Sequence, residues 1–205
     1  MEMRVKQYLR QRENKQGKIY LGIPHRLDRP VAGVMVFARH VRAAQRIAAQ
    51  FEKRSVVKKY WAIVDGNVEA DEGTWIDFMR KIPDRPQSEV VDENVAGAQR
   101  AVLNYKVKQR ADDMTWIEIE LVTGRTHQIR VQAASRGHSI LGDSLYGNQK
   151  SFGPQIFDQR QRWIALLSHR LKLRHPTEDK IVDICSPIPD CWNPLAEAFN
   201  FNSPT

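Results

Sequence analysis

Two alternating stretches in the middle of the chain, Ala101–Lys108 and Thr115–Val122, most constrain its fold. In the second, Trp116, Glu118 and Glu120 fall on one face while Ile117, Ile119 and Leu121 fall on the other. That period of two is the signature of a half-buried strand. Only Ala111-Asp112-Asp113 and a few neighbours separate the two stretches, so they are predicted to pair as a hairpin. Val56–Val64 is β-branched and aromatic and is stopped by Asp65-Gly66, which predicts a further strand. Thr74–Met79 is a weaker one. Trp163–Leu173 and Lys180–Cys185 read as strands around a turn at His175-Pro176. Strands that outnumber helices and connect mostly as hairpins give an α+β chain with a largely antiparallel sheet. The regular βαβ alternation of a Rossmann fold is absent.

Helical spacing is expected in four places. Residues 1–13 set Val5, Tyr8 and Leu9 on one side, and His40–Lys53 carries a stripe of Val41, Ala44, Ala48 and Phe51. A third helix runs from about Thr126 to Arg136, with Gly137 in the position just past its end. A short one spans roughly Pro194 to Phe199. Residues 14–24, 80–97 (with Pro83 and Pro86) and 141–160 read as loops. There is no internal repeat and no low-complexity segment.

The stretch HRLDRPVAGVMVFAR, residues 25–39, carries the chemistry-bearing signal. Pro30 and Gly33 exclude a helix. The apolar run Val34–Ala38 that follows has strand length and composition. Asp28 thus sits on a rigid loop between Arg26 and Arg29, where a neighbouring cation favours the ionised form of a carboxylate. That form suits a nucleophile or a base. Taken alone, a surface ion pair in a turn is the simpler account of an Asp between two arginines.

Charge points to a polyanionic partner. The net charge is +8 and the isoelectric point near 9.7, a balance that favours nucleic acid. The excess is clustered. Between Arg39 and Lys59 stand seven Lys and Arg residues against the single acid Glu52, and between Thr123 and His138 three Arg and no acid. There is no run of 18 apolar residues and no apolar signal-peptide region. The two cysteines, Cys185 and Cys191, lack zinc-site spacing, and a cytoplasmic protein with reduced thiols is expected.

Three further strings matter. In VTGRTHQIR, residues 122–130, a strand ends, Gly124 permits a turn, and Arg125 projects at the start of a helix. A cation there opposes the helix dipole and calls for an anion nearby. Asp28 is a candidate, and any nearby Glu is another. In Lys58-Lys59-Tyr60-Trp61 the tyrosine could stack on a base while the lysines meet phosphates, although a lone strand Tyr is more often packing. Gly142-Asp143-Ser144-Leu145 matches a serine-hydrolase string. It lies past mid-chain with no Asp-x-x-His downstream, so Ser144-dependent ester cleavage is not expected. The histidines at 25, 127, 138, 169 and 175 lack the spacing of a metal site.

Taken together and in order, these strings resemble the RluA-type pseudouridine synthases. HRLDRPVAG is similar to the motif that carries that family's catalytic Asp, and KKYWAIVDG to its tyrosine-bearing strand. VTGRTHQIRVQAASRGHSILGDSLYG is similar to its TGRxHQ(I/L)R block and the loop that follows. LLSHRLKLRHP is similar to a later block, so the likeness runs from about residue 21 to about 193. It implies an α+β pseudouridine synthase-like fold with a mixed, largely antiparallel central sheet. The implied reaction converts uridine in tRNA or rRNA to pseudouridine and needs no metal, nucleotide or redox cofactor. By the same resemblance Asp28 acts on the sugar, Arg125 pairs with Asp28, and Tyr60 stacks on the uracil. Ile129 gives the base an apolar contact and Arg26 fills the space it vacates. His25 and Arg130, from the same two motifs, join the substrate-binding residues. The expected partner is RNA, with no membrane and no obligatory protein partner, and the chain is expected to be a monomer.

Two departures stand out. Val31-Ala32 replaces the family's usual Thr-Ser or Val-Ser before the motif glycine. Only 24 residues precede His25, and no K-P-x-G string occurs. A single catalytic domain over residues 1–205 is therefore expected, lacking that front segment and any S4-type RNA-binding domain. The alternative is a catalytically impaired RNA-binding module derived from the family.

Overall fold

A computed structural model describes residues 1–14, 16–154, 158 and 162–201. It is α+β, with a mixed and mostly antiparallel sheet. Contacts divide the chain into two compact units interleaved in sequence. The first comprises Met1–Arg26, Met35–Val56 and Lys172–Asp183; the second comprises Leu27–Val34, Val57–Leu171 and the chain from Ile184 onward.

The first unit holds α1 (Glu2–Glu13) and α2 (Val41–Glu52). Helix α1 buries Leu9 and ends on Asn14 in the left-handed conformation, a common cap because Asn tolerates positive φ. The apolar stripe of α2 differs from expectation. Ala43 and Ile47 are buried, whereas Val41 and Ala48 are exposed. The face is rotated because Ile47, the largest aliphatic side chain of the helix interior, must be covered and Val41 sits at an exposed N-terminus. Gln50 fixes one end: its Nε2 donates to Arg174 O (3.0 Å) and its Oε1 accepts from Arg174 N (2.9 Å). Arg39 and Glu13 form a two-pronged ion pair.

The apolar run 34–38 is not a ladder strand, contrary to expectation. Its amides go to separate partners. Val34 N donates to Ser168 O (2.9 Å), Val36 N to the His25 ring (2.9 Å), and Ala38 makes an isolated bridge with Gly22. The run changes unit after Val34, so no single neighbour can take all its amides.

The strands are β1 (Ala32–Gly33), β2 (Val57–Asp65), β3 (Glu72–Lys81), β4 (Ser88–Val91), β5 (Gln99–Ala111), β6 (Met114–Leu121), β7 (Leu166–Arg174) and β8 (Ile181–Cys185). Their order is β1-β7-β2-β6-β5-β3-β4, with β8 on the side of β7. β5 and β6 form the expected hairpin, closed by Asp112 at φ 52. β4 was not expected. It lies inside the predicted loop 80–97 and pairs with β3 from Lys81↔Ser88 to Phe78↔Val91, while Pro83 and Pro86 occupy only the turn. The core is built on β2, β5 and β6, where Ile63, Leu103, Trp116, Ile117 and Ile119 are at most 1% exposed. A 3-10 turn at Asp190–Leu195 and the following residues bring Trp192 and Phe199 onto that core. It replaces the helix expected at 194–199, because Pro194 cannot donate a helical hydrogen bond. Of the loop expected at 141–160, residues 155–157 and 159–160 lie outside the described residues; a short 3-10 turn occupies Ser144–Tyr146.

Gly33 ties the Asp28 loop to the sheet. It pairs in parallel with Ser168 at φ +118, and a Cβ there would come within 2.3 Å of the Ser168 carbonyl oxygen. Gly33→Ala is expected to cost at least about 2 kcal/mol, through positive-φ strain and the clash. A denaturation midpoint within error of the wild type would contradict this.

Candidate active site

Asp28 is presented by a tight turn. Val31 N donates to the Asp28 carbonyl (3.0 Å), and Ala32 and Gly33 then enter the sheet beside β7. The side chain is 22% exposed, so it is shielded yet reachable. Its Oδ2 lies 3.8 Å from Arg130 Nη1 and 3.8 Å from His127 Nε2. These are ion-pair distances rather than hydrogen bonds, and contacts of this kind commonly tighten when substrate binds.

Arg130 is the anchor of the site. It lies on α3 (Gln128–Ala134), whose side chains from Gln128 to Ala133 are all buried. Its Nε and Nη2 donate to the two oxygens of Asp143 at 2.6 and 2.8 Å. This two-pronged pair is 5% and 1% exposed. Burial works against the guanidinium charge, but the hydrogen bonds and charge of Asp143 outweigh it, Asp28 and Tyr146 add to them, and the pKa is raised. Arg130 also lies over the Tyr146 ring, 5.0 Å from its centroid. The Tyr146 hydroxyl meets His127 Nδ1 (2.7 Å) and accepts from Ser88 N (3.0 Å).

The turn before α3 shows why the TGRTHQIR string is built as it is. The buried Gln128 side chain accepts from Thr123 Oγ1 (2.8 Å) and Arg125 N (3.0 Å) and donates to Val102 O (3.0 Å). Thr123 in turn accepts from Val102 N (2.8 Å). The helix starts at Gln128, two residues later than predicted, because Arg125 and Thr126 belong to this turn and His127 adopts φ 56.

Tyr60 lies on β2, opposite Ile119 of β6, and its hydroxyl hydrogen-bonds to Ser168 of β7. Burial pushes its pKa up to about 12; the Ser168 hydrogen bond opposes that and the Asp28 charge adds to it. Tyr60 is therefore a neutral phenol at neutral pH. Because its folded pKa is raised above the ordinary value, its contribution to stability is full below pH 10 and is lost as pH rises towards about 12. Tyr60→Phe is expected to show a shallower loss of stability across that window. An unchanged alkaline slope would contradict the assignment.

The expected Arg125–Asp28 pair is not formed. Arg125 Nε donates to Arg100 O (3.1 Å), and the arginine that reaches Asp28 is Arg130, five residues on. The later helix start explains the difference: Arg125 precedes the helix and bonds to Arg100 O, while Arg130 is carried inward with the buried face. Ile129 is 4% exposed and belongs to the core beneath the site. His25 and Arg26 fall in the other unit. The His25 ring accepts from Val36 N (2.9 Å) and stacks on Phe51 at 4.6 Å. Arg26 is exposed. Asp143, Tyr146 and His127 were not singled out from sequence. The signal available was the spacing Asp143-x-x-Tyr146, behind a string that reads like a hydrolase motif. Ser144 itself is exposed.

A carboxylate beside a fixed cation, with a neutral phenol close enough to feel its charge, is equipment for nucleophilic or acid–base work on an uncharged ring system. The RNA pseudouridylate synthase family model matches residues 3–135, and the chain belongs to that family. Among curated relatives, an uncharacterized RNA pseudouridine synthase of Synechocystis is 34% identical over 82% of this chain and 50% of its own length. The ribosomal large subunit pseudouridine synthase D of Zymomonas mobilis is 35% identical over 82% of this chain and 53% of its own length. The chain thus spans about half the length of the curated relatives it matches. A solved structure titled human RNA pseudouridylate synthase domain containing 4 superposes with a TM-score of 0.69 at 25% identity, covering 86% of this chain and 75% of its own.

Proposed function

We propose that this chain isomerises uridine to pseudouridine in RNA, with Asp28 acting at the sugar. The observation that carries the reading is the placement of Asp28 Oδ2 beside Arg130 and His127 in a chain of this family. In the reaction the N1–C1′ bond breaks and a C5–C1′ bond forms. C5 loses a proton and N1 gains one, so the atoms balance without a co-reactant. Asp28 serves as the nucleophile at C1′ or as the base that yields a glycal; either requires the carboxylate to face the sugar, with Arg130 beside it. Tyr60, a neutral phenol, stacks on the uracil, and Ile129 supplies an apolar contact from beneath. Extracting the uridine from its stack costs a few kcal/mol. Arg26, exposed and adjacent in sequence to the Asp28 loop, is the side chain assigned to the vacated space. Arg125, hydrogen-bonded to the Arg100 carbonyl, is assigned to RNA phosphates.

The partner in this reading is RNA, and ribosomal RNA is the first to try because curated relatives carry a large-subunit name. The chain is read as a monomeric catalytic domain working in the cytoplasm. Both thiols are free, and among the described residues no helix is long and apolar enough to cross a membrane. The test is to incubate rRNA and tRNA fragments with the folded protein, digest them to nucleosides and separate pseudouridine from uridine. Pseudouridine at a defined position is expected. RNA binding without product would instead favour the impaired RNA-binding module.

A further inference from the structure

Beside the Asp28–Arg130 pair the fold builds a second device that the family likeness does not assign. Tyr146 Oη lies 2.7 Å from His127 Nδ1 and accepts the Ser88 amide proton at 3.0 Å. His127 Nε2, at the other end of the ring, faces Asp28 Oδ2 at 3.8 Å. The tautomer of His127 turns on where the Tyr146 hydroxyl proton goes. A tyrosine hydroxyl has one proton to give. Burial raises the Tyr146 pKa, the Ser88 hydrogen bond and Arg130 oppose that and Asp143 and Asp28 reinforce it, so the proton stays on oxygen. With Ser88 donating to one lone pair, the hydroxyl has its proton to offer to Nδ1. A neutral imidazole that accepts at Nδ1 carries its proton on Nε2.

We propose that His127 is a positioning residue for Asp28, held by Tyr146 and the Ser88 amide as the Nε2–H tautomer so that it presents a neutral donor to the carboxylate. The proposal rests on the functional reading above for its kinetic consequence, and on geometry alone for the tautomer. Two groups of different kinds then face Oδ2, each at 3.8 Å. Arg130 supplies a cation, and His127 orients the carboxylate without adding a second cation beside the guanidinium. Groups facing the imidazole include Asp28 and Tyr146, with Arg130 against both of them and Asp143 behind Arg130.

A merely structural role predicts something different. His127 sits at φ 56, a conformation that Asn tolerates better than Gln. If the residue served only the turn, His127→Asn would be the better substitute. If its work is a donor at the Nε2 position, His127→Gln, whose amide nitrogen reaches that place, retains more activity. His127→Gln is expected to lower kcat about tenfold and His127→Asn about a hundredfold, with KM within about twofold in both, as befits a hydrogen bond to a charged group. Imidazole nitrogen NMR of the free wild-type protein near neutral pH is expected to show the proton on Nε2, and Tyr146→Phe to show a tautomer mixture. A wild-type spectrum with the proton on Nδ1 or on both nitrogens overturns the proposal, as does an Asn variant as active as the Gln one. A folded wild type that shows the Nε2–H spectrum but makes no pseudouridine overturns the functional reading while supporting the tautomer.

Discussion

Asp28→Asn is expected to fold as the wild type does and to lose pseudouridine formation by at least about a thousandfold, the scale set by removing a nucleophile or positioned base. The substitution keeps the shape of the side chain. Its backbone role, accepting from Val31 N, is untouched. Arg130 keeps its two hydrogen bonds to Asp143, so no buried charge is stranded. What disappears is the negative charge at Oδ2. The melting temperature therefore stays close to that of the wild type while the rate collapses, and the two readings separate chemistry from folding. A large fall in stability would mean that Asp28 is an ordinary structural ion pair.

Asp143→Ala is expected to have the opposite profile, failing in stability first. The Arg130–Asp143 pair is 5% and 1% exposed, and the deletion leaves a buried guanidinium with only the more distant Asp28 to answer it. Breaking such a pair costs about 3–5 kcal/mol. Denaturant titration should show the midpoint falling with an unchanged slope. Activity under conditions where the variant still folds should drop by about a hundredfold, because Arg130 is free to move relative to Asp28. Replacing both partners by apolar residues, Arg130→Met with Asp143→Leu, is expected to recover most of the stability and none of the activity. Recovery of both would show that Arg130 is structural and does not serve Asp28.

The sheet was legible in the sequence where alternation and turn residues agreed, as in the β5–β6 hairpin around Asp112. It was less legible where an element is shorter than its own signal. β4 is four residues long and comes directly after two prolines that read as loop. The run Val34–Ala38 has strand composition, yet its amides answer to three different partners. Composition reports burial and not which neighbour supplies the hydrogen bond. At the site, Asp28 and Tyr60 were placed correctly on loop and strand. The arginine beside Asp28 was not, because both Arg125 and Arg130 stand in one string and the choice depends on where the helix begins. That start is set by the Gln128 side chain, a contact with Thr123 and Val102 that periodicity does not encode. Asp143 was masked by its position in a hydrolase-like string, and its meaning emerges only once Arg130 is seen buried against it.

The central claim is that Asp28 drives isomerisation of uridine in RNA. Joining C5 to the sugar expels the C5 hydrogen, so RNA labelled with tritium at uridine C5 reports the reaction directly. Side-by-side incubation of labelled rRNA with folded wild-type and Asp28→Asn protein is expected to release tritium with the wild type alone. Equal release by both, or none by the wild type from any RNA tried, would contradict the account.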